Sequence, residues 1–158
     1  MRLFRCGVAV ACSAAIVACG LGSSPAQGLR FQPPTGWQSS PGILGFMQFW
    51  RTPDEREALI LFKSPKPITA NDVFANDRMK DTLQGIQIEQ RHAIQICGGQ
   101  PATYVRGRGS SRKRGDEDVE MVITTVNGTS YFALYRRPFG ARPTFAAQAA
   151  LRELCPKP

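Results

Sequence analysis

The dipeptide Asn127-Gly128, set between two runs of alternating apolar residues, constrains this chain more than any other feature. Asn-Gly is favoured in two-residue hairpin turns because both central positions need positive φ. It predicts strands over residues 118–126 and 129–136 and sets their register. Val126 then faces Thr129, Ile123 faces Phe132, and Met121 faces Leu134. The last four share one face as large apolar side chains, while Thr124 with Tyr131 and Glu120 with Tyr135 share the other. The turn and the hydrophobic pattern reach one pairing independently. Asn127-Gly128-Thr129 also matches a glycosylation acceptor, but the turn accounts for it.

Further elements surround this hairpin. Leu29 to Trp37 reads as a short strand and a Pro-Pro-Thr-Gly turn, with Trp37 against the core edge. Gly45–Arg51 and Ala58–Phe62 are strand-like and flank a polar turn over residues 52–56. Thr69 and Asp72 stand in capping-box positions, and Ala75, Met79 and Leu83 recur on one helical face until Gly85. Ile86 to Ile94 alternates like a strand with one wet face, and Gln95-Ile96-Cys97 continues it or starts a neighbour. Gly98-Gly99-Gln100-Pro101 reads as a turn and Ala102–Arg108 as the next strand. Pro143 or Thr144 opens a closing helix to about Leu154, with Ala147, Ala150, Leu151 and Leu154 as its buried stripe.

The order of these elements, Phe31…Pro33-Pro34-Thr35-Gly36-Trp37 near the start, and Gly99-Gln100-Pro101-Ala102 leading into a strand are similar to the PsbP-like α/β/α sandwich family. The resemblance spans nearly the whole chain after the leader. It implies an α+β fold: a largely antiparallel, twisted sheet of about six strands with helices packed on it. It also implies a docking or stabilising module, since known members are mostly non-catalytic: some are extrinsic photosystem subunits, some bind a small GTPase, and many bacterial ones have no assigned role. No family binding residue maps onto a position here.

The N-terminus bears on location. Arg2 and Arg5 precede an uncharged run, Cys6–Ala18, that is too short to span a bilayer and has the length of a signal-peptide core. Residues 1–18 are therefore expected to be a signal peptide, 19–28 a flexible tether, and 29–158 a single domain. Ile16-Val17-Ala18-Cys19 resembles a bacterial lipobox, which would place lipid on Cys19 and anchor the protein outside the cytoplasm. Cleavage after Ala26 is the competing reading and would leave a secreted or periplasmic protein. Cys97 and Cys155 survive either cut, and an oxidising compartment makes a disulfide between them the simplest reading. A metal pair is disfavoured, because there is no Cys-x-x-Cys and His92 is the only histidine.

The chain carries +8, and without Arg2 and Arg5 it keeps 18 basic and 12 acidic residues, or +6. Such an excess favours anionic surfaces without naming a partner. Arg106, Arg108, Arg112, Lys113 and Arg114 crowd among glycines and serines, as in a mobile loop for anionic lipid or envelope polymer; the alternative is a solvated hairpin tip. No aromatic residue interleaves them, which disfavours nucleic acid. Asp116, Glu117, Asp118 and Glu120 lack the spacing of a calcium loop and read as a solvated strand start. No phosphate loop, dinucleotide fingerprint or nucleophile elbow is present. The sequence therefore supports a non-catalytic, membrane-anchored binding or assembly module without cofactor or metal. Its expected partner is an envelope protein or an anionic surface, and an enzyme built on His92 or the acidic cluster is the weaker alternative.

Overall fold

A computed structural model describes residues 28–41, 47–75 and 83–157. In chain order the elements are β1 (Leu29–Arg30), β2 (Gln38–Pro41), β3 (Met47–Arg51), β4 (Ala58–Ser64), α1 (Ala70–Phe74), β5 (Gln84–Ile96), β6 (Gln100–Ser111), β7 (Gly115–Val126), β8 (Thr129–Pro138), α2 (Phe145–Arg152) and β9 (Cys155–Pro156). The leader, Cys19, the tether up to residue 27, Gly45 and Met79 lie outside the described residues.

The β7–β8 hairpin turns through Asn127 and Gly128, both at positive φ, and Ile123 opposes Phe132 while Met121 opposes Leu134. Around it the main sheet is antiparallel, in the order β2-β3-β4-β8-β7-β6-β5. That is seven strands, one more than the pattern suggested.

Strand alternation splits the core into two layers. One face carries Ile60, Val105, Met121, Ile123, Phe132 and Leu134 against Ala70 and Val73 of α1. The other carries Leu59, Leu61, Val122, Ala133 and Tyr135 against Ala147, Ala150 and Leu151 of α2, with Leu154. Each fully buried leucine stabilises the fold by about 2 kcal/mol. The architecture is thus an α+β sandwich with, among the described residues, a helix on each face.

The capping box forms as expected. The Thr69 hydroxyl accepts from the Asp72 amide at 3.4 Å, and the Asp72 carboxylate accepts from the Thr69 amide at 2.7 Å. The Thr69 hydroxyl, foremost, and its amide hold the Asp72 carboxyl below its usual range. Gly85, however, does not stop this helix: α1 ends at Phe74, and Gly85 lies within β5 at φ +60°. The β5–β6 pairing slips between Gln84 and Gln87, and a glycine in the left-handed region is what such a bulge uses. The next turn is also displaced. It spans Cys97 to Gly99, and Gln100 and Pro101 already belong to β6.

At the C-terminus, α2 stops at Arg152, shorter than expected, yet Leu154 beyond it is still buried. Cys155 pairs with Arg30 in the small β1–β9 sheet and is bonded to Cys97, with the two Cα atoms 5.5 Å apart. This bond fastens the segment after α2 to the end of β5. Replacing Cys97, Cys155 or both by serine is expected to lower stability by about 2–4 kcal/mol, measured by urea denaturation, with the double variant no worse than either single one.

Candidate functional site

The basic residues lie on the β6–β7 hairpin and its tight turn rather than on a long loop. β6 and β7 pair without interruption from Thr103–Ile123 to Ser111–Gly115, leaving Arg112, Lys113 and Arg114 as a three-residue turn closed by Gly115 at φ +76°. Glycines and serines at 107–111 suggested flexibility, but these are strand residues of β6, and at Gly107 the packing leaves no room for a Cβ. A Cβ on Gly107 would come within 2.5 Å of the Gln87 carbonyl oxygen, and one on Gly109 within 3.1 Å of Ile86.

The five cations do not act as one cluster. Arg106 lies opposite Glu120 in the β6–β7 register, with its Nε buried and unbonded. Arg108 donates to Glu89 at 2.6 Å, and its guanidinium sits 4.6 Å above the ring of Phe139. Phe139 is itself 51% exposed. Arg114 donates to Glu117 at 2.8 Å. Arg112 and Lys113 are exposed and have no ion-pair partner among the described residues.

The acidic residues depart most from expectation. Asp116 is exposed, but Glu117, Asp118 and Glu120 are buried. On the α1 face, Glu117 (1% exposed) accepts from Arg136 at 2.6 Å and from Arg114. One Glu117 oxygen and Nε of Arg136 remain without a hydrogen bond, and desolvation holds the Arg136 guanidinium below its usual pKa. On the α2 face the network is better satisfied. Glu120 accepts from Arg137 at 2.6 Å, from the Tyr104 hydroxyl at 2.8 Å and from Gln148 at 3.2 Å. Arg137 also donates to the Ala141 carbonyl, and Asp118 accepts from the Gly140 amide. These carboxylates are held by arginines inside the fold, so they are neither a solvated strand start nor a cation site. The signal was present in the sequence, because continuing the hairpin register places Asp118 opposite Arg137 and Val119 opposite Arg136.

His92 is exposed, with its ring 5.0 Å from that of Tyr104. Ser110 and Ser111 are strand residues of β6. Among the described residues no three His, Cys, Asp or Glu side chains gather as metal ligands. A cleft of about 490 Å³ lies between Ile68–Ala70 and the α1 face of β5–β7, lined by Arg91, Thr103, Ile123 and Thr125. At its rim Arg91 donates to Asn71 at 2.6 Å.

Two checks follow from the buried polar groups. Arg137→Ala leaves Glu120 without its cation and is expected to cost about 3–5 kcal/mol in urea denaturation, while Arg112→Ala changes stability by less than about 0.5 kcal/mol. Burial, and then a hydrogen bond to Glu120, raises the pKa of the Tyr104 phenol. Burial, and then a hydrogen bond to Glu57, pushes Tyr135 up to about 12 from 10.0. Both favour the neutral form in the folded state. Their stabilisation is therefore complete below pH 10, and that of Tyr135 is lost as pH rises through about 12, which absorbance titration of tyrosinate alongside alkaline unfolding will follow.

No family model and no curated protein matches the sequence. Solved structures do resemble the fold. A Bacteroides thetaiotaomicron VPI-5482 protein superposes with a TM-score of 0.57 at 12% identity, over 86% of this chain and 47% of its own. The chain thus spans about half the length of that protein. PA94 of Pseudomonas aeruginosa, a protein of unknown function, matches with a TM-score of 0.51 at 17% identity over 79% of this chain and 89% of its own. Cyanobacterial PsbP (CyanoP) of Synechocystis sp. PCC 6803 matches with a TM-score of 0.51 at 20% identity over 87% of each chain. Identities this low carry the fold and no activity. The fold of this chain is PsbP-like.

Proposed function

We propose that this protein is a non-catalytic, extracytoplasmic module, anchored through lipid on Cys19, that docks onto an anionic surface with the β6–β7 end of its sheet. The observation that carries this reading is the pair Arg112 and Lys113, which lack an acidic partner among the described residues and are held out on two 12-residue strands. Arg108, Arg114, Glu117, Asp118 and Glu120 of this hairpin are held in ion pairs within the chain, whereas Arg112 and Lys113 stay available to a ligand.

Phe139, whose amide donates to the Asp116 carbonyl, offers an exposed aromatic ring next to the Arg108 cation, and Phe145 at the start of α2 is 85% exposed. Cations next to exposed aromatics suit phospholipid headgroups, where a ring sits at the interface and each basic residue adds about 1 kcal/mol of attraction. The Cys97–Cys155 bond fits an oxidising compartment. His92 has no nucleophile or carboxylate bonded to it among the described residues, which favours docking over catalysis.

Vesicles containing phosphatidylglycerol test the reading with the chain from residue 28 onward, which carries the described fold without the lipid. Binding is expected to weaken with salt and to fall about 30-fold when Arg112 and Lys113 both become alanine. Equal binding by that variant and the parent protein would exclude the turn as the docking element.

A further inference from the structure

The two edges of the main sheet are unlike. β2 has four residues and ends on Pro41, which has no N–H to offer a further strand. β5 has 13 residues and a neighbour on one side only among the described residues. Exposed edges are normally blunted by bulges, lysine or proline. In β5 the bulges fall before Gln90, whereas Gln90–Ile96 pairs with β6 without a slip and contains no lysine or proline. Gln90, Arg91, His92, Ala93 and Gln95 are exposed.

We propose that residues Gln90–Ile96 form a two-fold interface with a second copy of this chain, strand against antiparallel strand. Centred on Ala93, the pairing sets Gln90 opposite Ile96 of the other copy, Arg91 opposite Gln95, His92 opposite Ile94, and Ala93 opposite Ala93. The segment holds one full charge, and this register never opposes it with itself. Like charges directly opposite would disfavour pairing, whereas a Gln95 amide oxygen can accept from Arg91. The surface is therefore self-complementary in the way a two-fold contact requires.

The position of the chain ends agrees with this occupant. An antiparallel addition within one sheet turns the second copy about an axis normal to the sheet, so equivalent faces stay on the same side. The described chain begins at Gly28 on the α2 face, against Tyr131 and bonded to Lys157. Both copies then carry Gly28 on one side of the joined sheet, which suits two chains held in one membrane and rests on the lipid attachment proposed above.

Cysteine scanning on the purified protein tests both contact and register. Opposed residues in such a pair have Cα atoms about 4.5–5.5 Å apart, within the span of a disulfide. Under mild oxidation Ala93→Cys is expected to give a covalent dimer, while Gln95→Cys alone gives none and links only when mixed with Arg91→Cys. Sedimentation of the parent protein is expected to show a monomer–dimer equilibrium that Ala93→Lys abolishes while circular dichroism stays unchanged. A parent protein that remains monomeric at all concentrations, a dimer that survives Ala93→Lys, or equal self-linking by Gln95→Cys and Ala93→Cys would overturn the proposal.

Discussion

Register along β7 and β8 organises everything else in this molecule. The Asn127–Gly128 turn starts a ladder that runs to Glu117 opposite Pro138. Because side chains alternate, one ladder serves two cores. Met121, Ile123, Phe132 and Leu134 pack towards α1, and Val122, Ala133 and Tyr135 pack towards α2. A slip of one residue would exchange the two sets and send the charged end of the hairpin into apolar surroundings.

That charged end shows how the constraint is enforced. The apolar rows give way to Glu117 with Arg136 on one face and to Asp118, Glu120 and Arg137 on the other. Buried ions are costly to desolvate and add little net stability when paired, but an unpaired one is strongly destabilising. Any other register would strand several of them at once. The ion pairs therefore act chiefly against wrong alignments, and they leave the β6–β7 turn on a rigid base.

Much of this was legible in the sequence because the signals were local. The hairpin, the Thr69 cap, the α2 stripe and the Cys97–Cys155 bond each rest on residues close in sequence or on a cysteine pair with few alternatives. The misreadings came from residues whose role depends on distant partners. Gly85 looked like a helix stop, yet it serves a bulge against β6. Gly109 looked like a loop residue and Gly107 like the end of a strand entering that loop, yet both lie in β6, and β5 passes too close to Gly107 for a side chain. Glu117 and Glu120 looked solvated because their arginines come from the next strand, although the turn already implied that meeting. The edge status of β5 could not be read at all, since strand order follows from contacts far apart in the chain.

Among the described residues, Arg112 and Lys113 at one turn have no ion-pair partner, and one edge of the sheet presents a half-strand without a slip. The proposed docking role depends on the chain residing outside the cytoplasm. Mass spectrometry of the protein purified from a bacterial envelope tests this most directly. The account expects a chain beginning at Cys19, heavier by a diacylglyceryl and any further acyl group, and lighter by two hydrogens for the bond between Cys97 and Cys155. An intact leader with both thiols free would contradict it.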